Sequence, residues 1–238
     1  MTIFNTRGFR LAPIWLPLLA LATPLFAQSP TSANTEPAVS PAALDVPLPA
    51  PKATYSVRDF GAVGDGKTKD TAAFQKALDT CAVNGGGEVV VPAGEYLIGS
   101  IQIGNQTIIR LEKDSLLTGS SDLEDYPLID VRWEGRWEPG HRSLIYAADV
   151  ENVGVVGPGA IRGDGGVAAS NVEPRGAVVL EAISCHGVRW DGFAVTQGGN
   201  NWATHPTYCT DVLIKNINLS GRRDGIDGDT PRPALTRN

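Results

Sequence analysis

The sequence predicts an all-β protein: a right-handed parallel β-helix (a solenoid) with an N-terminal capping α-helix. Three observations predict it. Short Val/Ile-rich segments recur along the chain, the best-aligned of them stand 24 residues apart, and the one segment with helical spacing precedes the first of them. The period is read from Cys185 and Cys209, Val188 and Val212, Phe193 and Ile217, and Val195 and Leu219, each pair 24 apart. Asn152-Val-Gly-Val-Val-Gly157 is an earlier copy; Val153 lies 35 residues before Val188, the excess absorbed by a Gly-rich excursion over Gly163–Gly176. Nearer the N-terminus, Thr107–Leu111 and Ser115–Gly119 repeat an earlier layout 19 to 20 residues on, counted from Glu88 to Thr107 and from Gly99 to Gly119. Strands this short bury their inward side chains only against the next coil. A β-sandwich would need hairpins, and no Asn-Gly or Asp-Gly turn joins equal strands in register.

Composition narrows the function classes. With 42% hydrophobic residues and 19% charged, the 238-residue chain can bury a core. A net charge of −6 without a long run of either sign excludes a binder of nucleic-acid backbones, which concentrates Lys and Arg in a patch. Three Cys cannot all pair within one chain, none has zinc spacing with His, and no cofactor or metal is called for.

The elements follow in order. Arg7 and Arg10 precede an uncharged stretch, Leu11–Ala27, that three prolines interrupt and that is shorter than the ~20 residues of a spanning helix. This is the form of a secretory signal peptide, residues 1–27, cleaved after Ala22 or Ala27. The expectation is a secreted or periplasmic protein with no stable membrane anchor after cleavage. Residues 28–54 hold six Pro, six Ala and no aromatic residue, the composition of an extended linker. The β-helix is expected over residues 55–229, followed by an atypical tail, 230–238, whose Pro231 and Pro233 fit no strand.

Gly61-Ala-Val-Gly-Asp-Gly66-Lys67-Thr68 matches the phosphate-loop pattern literally. A phosphate loop, however, runs straight into its helix at the Lys-Thr pair. Here the helix is expected to start at Asp70 as N-cap, with Ala73, Phe74, Ala77, Leu78 and Cys81 at helical spacing. The segment is therefore read as a turn leading into the capping helix, with no nucleotide partner.

Tyr55-Ser-Val-Arg-Asp-Phe-Gly-Ala-Val-Gly-Asp-Gly66, Asp70-Thr-Ala-Ala-Phe74, Val91-Pro-Ala-Gly-Glu-Tyr96 and Asp125-Tyr-Pro127 resemble the opening of many pectin-acting β-helix proteins. These motifs are shared with lyases, epimerases and viral tailspikes. More specific are Trp202-Ala-Thr-His205-Pro-Thr-Tyr-Cys209 and Asp224-Gly-Ile-Asp227, which together are similar to the bacterial branch of glycoside hydrolase family 28, the polygalacturonases and their relatives. The resemblance implies hydrolysis of α-linked galacturonan with inversion by three Asp, the first in an Asn-Thr-Asp-Gly motif and the others in an Asp-Asp pair one coil later. Asp224 matches the first. Arg222 and Arg223 stand where Asn-Thr is expected, and the Asp-Asp pair, Gly-His-Gly and Arg-Ile-Lys of the family are not found.

Inverting hydrolysis needs an acid and a base roughly 6.5–9.5 Å apart, and neighbouring coils stack at ~4.8 Å, so adjacent coils can build such a pair. One coil after Asp224 falls near position ~248, past the last residue. The expectation is a polygalacturonase-like glycosidase whose catalytic set is incomplete in this chain, which is itself inactive or nearly so and acts on a polysaccharide partner when complete.

Around Asp224, counting back 24 residues lands on Asn200, which puts Asn200, Asn201 and Trp202 beneath it. His205 is either a satisfied structural histidine before Pro206 or an edge of the groove. Arg223 is either a solvated charge or the partner of a galacturonate carboxylate. Asp227, three residues from Asp224, points to the opposite face of a strand and is read mainly as a turn residue, as is Asp229. Asp224 is taken as catalytic, and Asn201, His205, Arg223 and Asp227 as candidate substrate contacts. Cys185 and Cys209 stack on neighbouring coils, as a disulfide or as buried thiols. A polysaccharide lyase using Ca²⁺ and a non-catalytic carbohydrate-binding β-helix are the competing classes.

Overall fold

The computed structural model describes residues 51–163, 173–196, 202–220 and 235–236. The expected signal peptide, nearly all of the linker and most of the Gly-rich excursion lie outside the described residues. In chain order the elements are β1 (Thr54–Ser56), β2 (Asp65–Lys69), α1 (Thr71–Val83), β3 (Gly87–Val91), β4 (Gly94–Ile98), β5 (Ile101–Gln102), β6 (Thr107–Leu111) and β7 (Ser115–Gly119). They continue with β8 (Leu128–Trp133), β9 (Arg136–His141), β10 (Ile145–Ala148), β11 (Glu151–Val156), β12 (Ala160–Arg162), β13 (Leu180–Ile183) and β14 (His186–Asp191). The last are β15 (Ala194–Thr196), β16 (Thr204–Thr207), β17 (Thr210–Lys215), β18 (Asn218–Ser220) and β19 (Leu235–Thr236).

Each coil visits three parallel sheets in turn. Sheet 1 is β1-β3-β6-β11-β14-β17-β19, sheet 2 is β2-β4-β7-β12-β15-β18 and sheet 3 is β5-β10-β13-β16. The 24-residue register holds in all three: Val188 pairs with Val212, Val195 with Leu219 and Glu181 with His205. Val153 pairs with Val188 across the longer coil. Inward side chains form columns along the axis. In sheet 1, Val89, Ile109, Val155, Trp190 and Ile214 are buried neighbours on successive strands, and in sheet 2 Tyr96, Leu117, Ile161 and Val195 are. The coils are right-handed, the hand that parallel crossovers adopt.

The first coils differ from expectation by one residue. Gly87, not Glu88, pairs with Thr107, and Ile98, not Gly99, pairs with Gly119. The true offsets are 20 in sheet 1 and 21 in sheet 2, because the corner Glu112–Asp114 is one residue longer than Pro92–Ala93. A one-residue slip exchanges the inward and outward faces, so aligning Glu88 with Thr107 would have set Val89 beside outward Ile108.

The capping helix is as expected, burying Phe74, Ala77, Leu78 and Cys81 over the open end, with Phe74 edge-on to Tyr96 at 5.4 Å between ring centres. Its N-terminus is not. Asp70 makes no side-chain cap; its carboxylate accepts from the N–H groups of Val63 at 2.7 Å and Gly64 at 3.0 Å. The phosphate-loop look-alike is likewise more than a turn: residues 65–69 are strand β2, paired with β4. Within it Asp65 Oδ1 takes the N–H groups of Lys67 and Thr68, so those two amides are already occupied.

Three further points depart from the sequence reading. Strand β1 starts at Thr54, inside the expected linker. The tail does contribute a strand: Leu235 and Thr236 pair with Leu213 and Ile214. And one antiparallel hairpin, β8–β9, stands outside the coils. Its two-residue turn is Glu134-Gly135, both at positive φ (44° and 85°), rather than the Asn-Gly or Asp-Gly that marks such turns.

The corner from sheet 3 to sheet 1 is two residues long in three successive coils: Asp149-Val150, Ser184-Cys185 and Tyr208-Cys209. The first residue of each is left-handed, with φ of 54°, 53° and 54°. Cys185 and Cys209 are the buried second residues. They are free thiols, with the Cys185 N–H donating to Cys209 Sγ at 3.4 Å.

Candidate functional site

Alternation along sheet 3 turns Tyr146, Glu181, His205 and Thr207 to its outer face, while Ile145, Ala147, Leu180 and Ala182 join the core. The hairpin lies along this face. At its base, the His141 N–H donates to Arg175 O (2.8 Å) and the Arg142 N–H to Pro127 O (2.8 Å). At its tip, Trp133 stacks on Trp202 with ring centres 3.9 Å apart, and the Arg175 guanidinium lies 3.6 Å from the centre of the Trp133 ring. Trp133, Val178 and Trp202 thus form a second small core outside the coils. The hairpin runs from the coil of β10 to the coil of β16.

Beneath it, His205 is 1% exposed and Glu181 3%. His205 Nδ1 meets Glu181 Oε1 at 3.2 Å, Nε2 meets Thr207 Oγ1 at 3.1 Å, and the Trp202 ring lies 4.8 Å from the imidazole. Glu181 in turn sits beside Tyr146, whose phenol is pushed up to about 12, first by burial and then by the Glu181 carboxylate. The Arg142 guanidinium lies 5.7 Å from the centre of that ring, its Nε donating to Ser100 Oγ. A buried carboxylate against an imidazole can hold and pass a proton, but here both ring nitrogens are engaged within the protein and neither side chain meets solvent.

Of the expected site residues, His205 is the one that the structure describes; Asn201, Arg223, Asp224 and Asp227 lie outside the described residues. His205 sits under the Trp202–Trp133 stack. Among the described residues no three His, Cys, Asp or Glu converge as metal ligands. Sequence reasoning missed Glu181, Arg132, Trp133, Trp137 and Arg175. For Arg132, Trp133 and Trp137 the repeat Arg132-Trp-Glu134-Gly-Arg136-Trp-Glu138 was the available signal, because it places an Arg-Trp pair on each side of a Gly turn.

Residues 54–111 match the model of the rhamnogalacturonase A/epimerase, pectate lyase-like family, and the fold is a right-handed parallel β-helix. Curated relatives of the chain include polygalacturonases. The chain is 29% identical over 194 residues to a probable polygalacturonase of Vitis vinifera, covering 74% of this chain and 39% of that protein. An exo-poly-alpha-D-galacturonosidase of Dickeya chrysanthemi is 31% identical over 118 residues, 46% of this chain and 19% of the relative. The crystal structure of a hyperthermoactive exopolygalacturonase from Thermotoga maritima superposes with a TM-score of 0.63 at 24% identity, over 73% of this chain and 48% of that one, a likeness of fold. The chain spans about two-fifths of the length of the Vitis relative.

Proposed function

We propose that this chain supplies the N-terminal coils and one wall of the groove of an exported pectin-type glycoside hydrolase that cleaves α-linked galacturonan with inversion. Its similarity to a polygalacturonase and to an exo-galacturonosidase supports the reaction class. The basic, Pro-broken N-terminal segment supports export.

The observation that carries the reading is the 24-residue register shared by all three sheets between the coils of β13–β15 and β16–β18, Glu181 to His205, Val188 to Val212 and Ala194 to Asn218. At that period Asp224 is read as the sequence counterpart of Asn200, next to Asn201 in the chain; in sheet 1 the following offset is 22, Leu213 to Leu235. In this reading Asp224 is one carboxylate of the acid–base set, Arg223 meets a uronate carboxylate, and Asn201 and Asp227 border the sugar. His205, held from below by Glu181, supports the floor. Catalysis by such a set rests on a proton donor at the leaving oxygen and a base on the opposite face.

Reducing-sugar release from polygalacturonate tests this, using the chain extended by the later coils of a polygalacturonase relative. We expect release with an inverted first anomer by proton NMR, and a 10²–10⁴-fold loss in Asp224→Asn, the range of one acid–base group. An unsaturated-uronate absorbance without hydrolysis would sink the hydrolase and favour a lyase. Binding without any release would favour a carbohydrate-binding module.

A further inference from the structure

Among the described residues, only two aromatic side chains are exposed, Trp137 (50%) and Tyr208 (41%). They are 71 residues apart in sequence, yet both border one guanidinium. Arg132 Cζ lies 6.0 Å from the centre of the Trp137 ring and 5.6 Å from that of Tyr208. The hairpin makes this meeting: Arg132 pairs with Trp137 across β8–β9, and the tip of the hairpin, docked by Trp133 on Trp202, overhangs the corner that follows β16.

Tyr208 is a costly choice at that corner. Its equivalents on the two preceding coils are Ser184 and Asp149, residue types suited to turns, whereas a bulky ring at φ 54° is strained. Strain of this kind is retained where the side chain does something the backbone geometry alone does not need. The ring does not fill the core and makes no cap. What it does is present an aromatic face beside a cation, level with the coil that carries His205.

We propose that Trp137, Arg132 and Tyr208 form a binding subsite for an anionic hexuronide. A pyranose is amphipathic in the way these rings are: its C–H faces lie on an aromatic ring, while its carboxylate meets a guanidinium. Glu138, on the same hairpin, is engaged by Arg175 at 2.8 Å and by Arg136 at 3.6 Å. The inference deepens the proposed function by naming where a uronide is gripped outside the catalytic coil, and it rests on that reading for its choice of ligand.

Calorimetric titration of the full chain with trigalacturonate, and with neutral galactotriose as control, tests it. We expect binding of the uronide only, weakened about tenfold or more in Trp137→Ala, a loss of about 1.4 kcal/mol or more. Tyr208→Asn is the sharper variant. Asn tolerates the left-handed conformation, so the melting temperature should hold or rise while uronide affinity falls. Unchanged affinity in both variants, equal binding of the neutral sugar, or no uronide binding by the wild type would each overturn the subsite. The reducing-sugar assay reads separately: release that persists after any of these outcomes removes the subsite alone, and absence of both binding and release removes the hydrolase reading with it.

Discussion

Replacing Asp70 separates two roles that one residue could play at the start of α1. Its carboxylate is 2% exposed and binds the Val63 and Gly64 amides at 2.7 and 3.0 Å, pinning residues 62–64 against the capping helix. The loop is held from its other side by Arg58, whose guanidinium donates to Val63 O and Ala93 O, both at 3.0 Å. Hydrogen bonds to a charged acceptor are worth about 1.5–3 kcal/mol each. Val63 is 46% exposed, so water recovers part of what its amide loses. Asp70→Ala should therefore cost about 2–4 kcal/mol rather than the full sum. In a β-helix of this size that lowers the melting temperature by about 4–16 °C. Asp70→Ser gives the contrast. Ser equals Asp as an N-cap, but its hydroxyl is too short to replace both contacts, so it should cost nearly as much as Ala. Urea unfolding of the three proteins, read by circular dichroism at constant m-value, decides the matter. Asp70→Ser within ~0.5 kcal/mol of wild type would refute the clamp and restore the cap.

Other outcomes can be stated more briefly. Gly85 and Gly86 both have positive φ (88° and 93°), but a Cβ at Gly85 meets no atom within 4 Å, whereas at Gly86 it collides with the side chain and carbonyl of Gln106. Gly85→Ala should cost about 1–2 kcal/mol and Gly86→Ala about 3–5 kcal/mol; equal costs by thermal melts would contradict the packing. The Cys209 thiol is pushed up by its contact with Cys185 and by burial, while the same contact lowers Cys185. A group raised on folding stabilises below its unfolded pKa and loses that contribution as pH climbs, so stability should fall above pH ~8.5. Melts between pH 7 and 10 should show this slope, and Cys209→Ala should reduce it, leaving the part due to the Cys81 thiol, which burial also pushes up; a slope unchanged by the substitution would assign it elsewhere.

How much of this was legible follows the constancy of the corners. Between the coil of β13–β15 and that of β16–β18 the turns have equal length, so Val188 and Val212 or Val195 and Leu219 align by simple counting. In the first coils the corner lengths differ by one, and matching glycines at strand ends misplaces Gly99 against Gly119. The hairpin was illegible for a different reason: its Glu-Gly turn lacks the usual signature, and what holds it, the Trp133–Trp202 stack, is a contact between residues 69 apart. Asp70 looked like a cap because Asp before a helical stretch usually is one; its actual partners lie six and seven residues back. At the candidate site, His205 was found through its motif, but its partner Glu181 carries no local pattern, since a carboxylate on the outer face of a strand reads as solvated until a neighbouring coil and a hairpin cover it.

The three corners of the coil have been given different freedoms. Between sheet 3 and sheet 1, the paired left-handed and buried residues Asp149-Val150, Ser184-Cys185 and Tyr208-Cys209 leave no room for extra chain. Between sheet 2 and sheet 3, the same three coils are joined by residues 120–144, 163–179 and 197–203, which differ widely in length. In these three coils the long connections therefore all fall between sheet 2 and sheet 3, and the hairpin among them lies over the outer face of sheet 3. A designer could exchange these segments, hairpin included, and remake the surface in front of that sheet without disturbing a single inward column.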